Sequence, residues 1–187
     1  ERLLALYYRD PASNQWTNAG MKVIKRDPIN NRLMVRVSHF TEFAMVQPIV
    51  AHCSQQELTL LLTSGVNPLD LDGGCVYSLT QSDSGYAFYD LWNQQNLLID
   101  GHGATIERAA TAPEKGILAF FQSQNVTLKN LILRNGKATT GYGLGGGLWL
   151  YHSTMTLENV QLLGNSANAG GAIEVEGSDS SVSLVNS

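Results

Sequence analysis

The acidic side chains are the first candidates for chemistry. Asp70, Asp72, Asp100, Glu107, Glu158, Glu174 and Glu176 are spread along the chain from residue 70 onward. An inverting glycosidase needs two carboxyls about 6.5–9.5 Å apart, and a polysaccharide lyase needs a base beside an acidic sugar proton, often with calcium. No doubled Asp occurs here, and no Arg or Lys recurs at matching positions, so no catalytic residue is assigned. Asp100 lies in Ile99-Asp100-Gly101, and Asp-Gly reads as a turn. Asp70-Leu71-Asp72-Gly73 begins like a calcium loop but lacks the closing acid. His39, His52, His102 and His152 have no metal-ligand spacing. Gly141-Tyr142-Gly143-Leu144-Gly145-Gly146 matches a dinucleotide fingerprint, yet it leads into Leu148-Trp149-Leu150-Tyr151, a strand and not a helix. It reads as a corner. The sequence thus implies no metal and no cofactor.

Aromatic residues offer binding in place of catalysis. Leu148 and Leu150 read as inward, so alternation puts Trp149 on the outer side, and Tyr151 and Trp92 join it as candidate outer aromatics. Glu174 and Glu176 alternate outward on one strand. Trp149, Tyr151, Glu174 and Glu176 are therefore the expected contact residues for a glycan or a protein partner. The two cysteines, Cys53 and Cys75, bracket one local segment and are expected to form a disulfide.

The elements that must position these residues fall into two parts. Residues 1–47 read as short antiparallel strands separated by Asp-Pro turns, with seven basic residues against four acidic, a net +3. Residues 48–52 form a linker. Residues 53–187 carry the remaining charge imbalance: from residue 48 onward there are five basic and twelve acidic side chains, a net −7, which argues against nucleic-acid binding. The chain as a whole is 15% charged, where about 25% is usual, and its 18 glycines suit turn-rich β structure. Ser54-Gln55-Gln56-Glu57 followed by Leu58–Leu62 predicts a helix with a capping box, ended by Gly65. Its expected task is to cover the first coil of the repeat that occupies the rest of the chain.

That repeat is read from spacing. Asn96-Leu97-Leu98-Ile99, Asn125-Val126-Thr127-Leu128, Thr154-Met155-Thr156-Leu157 and Ser181-Val182-Ser183-Leu184 recur at steps of 29, 29 and 27 residues. Two apolar columns result, Leu97/Val126/Met155/Val182 and Ile99/Leu128/Leu157/Leu184, with an asparagine column at Asn130, Asn159 and Asn186 expected to point inward as an amide ladder. Gly145-Gly146-Gly147-Leu148 and Gly170-Gly171-Ala172-Ile173 repeat at a step of 25. Stacked strand coils explain such columns, and insertions at corners explain the varying period.

The ordered series Gly73-Gly74-Cys75, Ile99-Asp100-Gly101, Val126-Thr127-Leu128-Lys129-Asn130, Gly164-Asn165-Ser166 and Gly170-Gly171-Ala172-Ile173 resembles the pectate-lyase-like superfamily of right-handed parallel β-helices. It is most similar to its bacterial surface branch. Tyr7-Tyr8-Arg9-Asp10-Pro11, Gln15-Trp16 and Val37-Ser38-His39-Phe40-Thr41 resemble the end of a ZU5-like β-sandwich module. In some related modules the bond after His-Phe breaks when the next hydroxyl attacks the carbonyl before it, with the histidine assisting as base; His39, Phe40 and Thr41 would be those residues here, although the threonine methyl restricts the attack.

The expectation is an all-β chain: a right-handed parallel β-helix with an N-terminal capping helix, preceded by a small antiparallel β module. Its expected role is a structural or adhesive part of a secreted or cell-surface bacterial protein. A carbohydrate-active enzyme with its active site in later coils is the alternative, and an accessory subunit of a membrane-attached complex the third. Beginning at Glu1 and ending within a strand, the chain reads as a piece of a longer polypeptide. Further coils or another chain would then cover its C-terminal end. Non-reducing peptide mapping should recover Cys53 and Cys75 in one linked species; two free thiols would overturn that pairing.

Overall fold

A computed structural model of the chain describes residues 52–82 and 85–187, together with the backbone of five strands before residue 47. The chain divides into two compact units, residues 1–51 with 56–66 and residues 52–55 with 67–187. His39, Phe40 and Thr41 lie outside the described residues.

In the first unit the strands are β1 (Ala5–Arg9), β2 (Trp16–Thr17), β3 (Lys22–Asp27), β4 (Arg32–Arg36) and β5 (Phe43–Val46). Among the described residues of this unit the pairings are antiparallel, as the turn spacing predicts, and β3 pairs with β4 as a hairpin. In the three-stranded sheet β1 sits between β2 and β5. Helix α1 (Gln55–Thr63) forms where the capping box places it, with Leu58 and Leu61 buried. Gly65 follows with φ +67°, the left-handed conformation that ends a helix at low cost in glycine. Among the described residues, no helix is long and apolar enough to cross a membrane.

The second unit is a parallel β-solenoid of about four turns. The first coil contains β6 (Leu69–Asp70), β7 (Val76–Leu79) and β8 (Ala87–Trp92), and the second β9 (Leu98–Asp100), β10 (Thr105–Arg108) and β11 (Gly116–Phe121). The third contains β12 (Val126–Lys129), β13 (Ile132–Arg134), β14 (Lys137–Ala138) and β15 (Leu148–Tyr151). The fourth contains β16 (Thr154–Glu158), β17 (Gln161–Leu163), β18 (Ser166–Ala167) and β19 (Ile173–Glu176), and β20 (Ser181–Val185) begins the next. Equivalent strands stack into three parallel sheets, β6-β9-β12-β16-β20, β7-β10-β13-β17 and β8-β11-β15-β19, with β14 and β18 as a short fourth pair.

The predicted columns are the register of the first sheet. Val126 pairs with Met155 and Met155 with Val182; Ile99, Leu128, Leu157 and Leu184 pair in series, extended backward by Leu69. Ile99, Val126, Leu128, Met155 and Leu157 are buried, while Leu184 is 56% exposed. The other sheets contribute Tyr77, Ile106 and Leu133, and Leu118, Phe120, Leu148 and Leu150, each 0–1% exposed. Burying one such side chain fully contributes about 1.5–3 kcal/mol.

Left-handed backbone makes the corners. Asn96 and Asn125, then Asn130, Asn159 and Asn186, all have φ between +49° and +56°. Asparagine visits this region more readily than other L residues with a Cβ. The asparagine column is therefore real, but its inward direction is corrected. These residues turn the chain between sheets, Asn159 is exposed, and the amides ladder along a corner: Asn159 Nδ2 donates to Asn130 Oδ1 at 3.1 Å, and Asn130 Nδ2 donates to Asp100 Oδ1 at 3.0 Å.

A second ladder is buried. Ser123 and Ser153 are wholly inaccessible, and their hydroxyls accept the amides of Gln94 and Ser123, each at 3.0 Å. Ser180 continues the series by accepting the Ser153 amide. The Ser123 and Ser153 hydroxyls donate in turn to the carbonyls of Phe121 and Tyr151.

Leu128→Ala removes a wholly buried side chain from the central coil. It should cost about 2–5 kcal/mol in denaturant unfolding while leaving the β-type circular dichroism intact. A loss below about 0.5 kcal/mol would be inconsistent with this packing.

Candidate functional site

The outer side of the third sheet carries the densest aromatic surface among the described residues. Strand β11 is apolar on both faces: Leu118 and Phe120 enter the coil, and Ala119 and Phe121 face outward yet are also buried. The register puts Trp92, Phe121, Tyr151 and Glu176 in one outer row, and Asp90, Ala119, Trp149 and Glu174 in the next. Trp92 stacks on Phe121 with centroids 4.3 Å apart and planes at 17°. Trp149 meets Phe121 edge-on at 5.0 Å.

Two loops complete this surface. In the first, both oxygens of Asp90 fold back to accept the amides of Tyr86 and Ala87 at 2.9 Å, and Lys115 Nζ donates to the Gly85 carbonyl. These contacts fix Tyr86 over Trp149 at 5.3 Å and over Phe121 at 5.5 Å. The second loop, residues 139–147, is the glycine-rich segment. Gly141, Gly143 and Gly145 take φ near +60°, and a Cβ on Gly143 would strike the Asn168 side chain. It is a corner before β15, as its sequence context predicts. Glu114 anchors its start, accepting hydrogen bonds from Lys137 and from Thr139, whose hydroxyl also lies in the loop. Those bonds, Lys137 first, hold the Glu114 carboxyl below the usual carboxylate range. Tyr142 projects from the loop, 72% exposed, against the edge of Tyr86. Between the loops lies a pocket of about 210 Å³ lined by Tyr86, Tyr142, Trp149, Leu144, Glu114 and Lys115.

Trp149 lies on the predicted side of its strand, but it is only 7% exposed. Alternation gives the face and not the cover. Its indole N–H donates to Glu176 Oε2 at 2.9 Å, and the ring serves as the floor under Tyr86 and Leu144. Tyr151, Glu174 and Glu176 do share this face, with Tyr151 39% exposed. Tyr86 and Tyr142, 47% and 72% exposed, were not among the expected contacts. The uninterrupted apolar run Ile117–Phe121 was the available signal, since a strand buried on both faces requires an outer layer.

The acidic candidates have other tasks. Asp100 Oδ1 accepts the His102 amide and the Asn130 side-chain amide at 3.0 Å each, so Asp100 is a corner residue as its Asp-Gly context implies. Burial opposes its ionisation. The bonds from Asn130 and His102, with the His102 and Lys129 charges nearby, outweigh that effect and lower its pKa. His102 Nε2 reaches Asp70 Oδ1 at 3.1 Å, which joins the first two coils. Asp72 turns toward His52, 3.7 Å away, so Asp70 and Asp72 face different partners. The disulfide Cys53–Cys75 is present. At the edge of the aromatic face, His152 Nδ1 contacts Asp179 at 2.5 Å, and this bond holds the Asp179 carboxyl low.

Asn130→Gly, which removes the side-chain donor but tolerates the left-handed backbone of this corner, should raise the Asp100 pKa toward the ordinary carboxylate value, read by NMR titration of its carboxyl. Because the folded pKa lies below the unfolded one, the ladder's contribution is present above the ordinary value near 3.8 and is lost as pH falls through the lowered one. The variant should lose that part of the acid sensitivity. An unchanged Asp100 titration would refute the assigned bond.

Comparison of the chain with protein-family models, with curated proteins and with solved structures finds no match, so the geometry of this face is the basis for a functional reading.

Proposed function

We propose that the chain is a non-catalytic structural and adhesive part of a secreted or cell-surface bacterial protein, whose solenoid presents the outer aromatic face as a contact surface. The observation that carries this reading is the contiguous patch of Tyr86, Trp92, Tyr142 and Tyr151, each 39–72% exposed, packed on a rigid floor of Phe121 and Trp149. Single exposed aromatics are ordinary, but a clustered patch marks an interaction site. Tyrosine and tryptophan on a fixed backbone give large contact area at low entropic cost, the composition of protein-binding hot spots.

A protein partner fits this patch better than a sugar laid flat on its rings. Trp92 and Phe121 already spend a ring face on one another, and Phe121 is 3% exposed. Glu174 and Glu176 extend the patch by one coil and add a polar rim. The Cys53–Cys75 bridge supports export, since disulfides persist mainly in oxidising compartments. The pectate-lyase-like and ZU5-like resemblances support a surface protein in the same direction. The carbohydrate-active alternative draws on that resemblance, whereas Asp100, its most tempting acid, is engaged in a corner ladder.

The test is adhesion of the purified chain to cells and matrix proteins, beside a panel of neutral and acidic glycans. Trp92→Ala and Tyr142→Ala should each weaken protein adhesion at least about tenfold, the cost of truncating a hot-spot aromatic. Stability in thermal unfolding should be unchanged for Tyr142→Ala and lowered by about 0.5–1.5 kcal/mol for Trp92→Ala, which loses its stack on Phe121. Binding confined to glycans would move the reading to sugar recognition. Turnover of an acidic glycan that disappears with Asp100→Ala would establish the enzyme instead.

A further inference from the structure

We propose that the Cys53–Cys75 bridge is a thiol-exchange site, with His52 as its proton donor. Three groups meet there within the second unit. His52 Nε2 lies 3.6 Å from Cys75 Sγ, while its other ring nitrogen, Nδ1, lies 3.7 Å from Asp72 Oδ2. The imidazole thus spans a carboxylate and a sulfur, one nitrogen for each. Cys75 is fixed opposite, its amide donating to the Asp72 carbonyl at 2.9 Å and its carbonyl accepting the Thr105 amide at 2.9 Å.

The two sulfurs are unequal. Cys75 is 2% exposed, whereas Cys53 is partly exposed and comes directly after His52, whose side chain is two-thirds exposed. Cys53 also has φ +56°, a conformation that L side chains rarely adopt. An incoming thiolate therefore reaches Cys53 first. The rate of exchange depends on how well the expelled sulfur carries its charge. Burial makes a Cys75 thiolate costly, and the adjacent imidazole removes that cost by giving it a proton.

The co-reactant is a dithiol. One of its thiolates attacks Sγ of Cys53, the Cys53–Cys75 bond breaks, and the bond's electron pair leaves on Sγ of Cys75. That sulfur takes the proton from Nε2 of protonated His52, leaving neutral imidazole, a thiol at Cys75 and a mixed disulfide at Cys53. The reagent's second thiol, once deprotonated, attacks its own bound sulfur and expels the Cys53 thiolate, which is protonated from water. The dithiol leaves as a cyclic disulfide, having supplied the two electrons that reduce the bridge. Asp72 acts as a positioning residue, holding the imidazole so that Nε2 faces the sulfur.

The experiment is reduction of the full chain by excess dithiothreitol near neutral pH, quenched by alkylation and monitored by mass. His52→Ala should slow reduction about tenfold, a modest value for a positioned general acid open to solvent. Asp72→Asn should slow it less. In concentrated denaturant all three proteins should react alike, which separates the folded geometry from any effect of composition. A monothiol, glutathione, should be trapped on Cys53. An unchanged or faster rate for folded His52→Ala, or a glutathione adduct on Cys75, would overturn the proposal. Thermal unfolding of the oxidised variants checks that a slow rate does not reflect altered stability.

Discussion

The backbone of each coil finds its hydrogen-bond partners in the coils on either side of it. Because the pairing is parallel and in register, a side chain at one position is forced directly over its equivalent one coil away. Everything else in the solenoid answers to that superposition. Apolar residues stack inside, and asparagines with left-handed backbone stack at the bends. Hydroxyls and amides hydrogen-bond along the stack, since their nearest neighbours are copies of themselves.

The same superposition accounts for what could be read from residues alone. Columns at steps of 29, 29 and 27 gave the strand register of the first sheet, because a parallel stack writes its contacts into the sequence at fixed intervals. Helix α1 and the Gly65 stop came from local capping chemistry, and the disulfide from the presence of two cysteines in one segment. The direction of the asparagines was misjudged: alternation was extended past the end of the strand, where φ changes sign and alternation ceases. The buried serines were missed although Phe121-Gln122-Ser123 and Tyr151-His152-Ser153 are visibly alike. A serine carries no apolar periodicity to draw attention to it.

The aromatic face was legible only in part, for a different reason. Its floor obeys the period, but its walls come from excursions of unlike length, residues 85–86 before β8 and residues 139–147 before β15. Spacing says that such loops leave the coil; it does not say that Tyr86 will fold back over Trp149 two coils away. His52 poses the same difficulty. It precedes Cys53 in the chain yet addresses the sulfur of Cys75, a contact made by the disulfide loop closing on itself. Regular positions set the scaffold here, and the irregular ones set what it can touch.

The serine ladder bears on how such a chain can change over generations. Each hydroxyl serves the amide of the preceding coil, so losing Ser153 leaves the buried amide of Ser123 without its acceptor. The defect appears one coil away from the altered codon. Neighbouring serines therefore behave as one inherited character, and duplication of a whole coil copies donor and acceptor together. Solenoids of this kind can lengthen by repetition more easily than they can drift at a single rung.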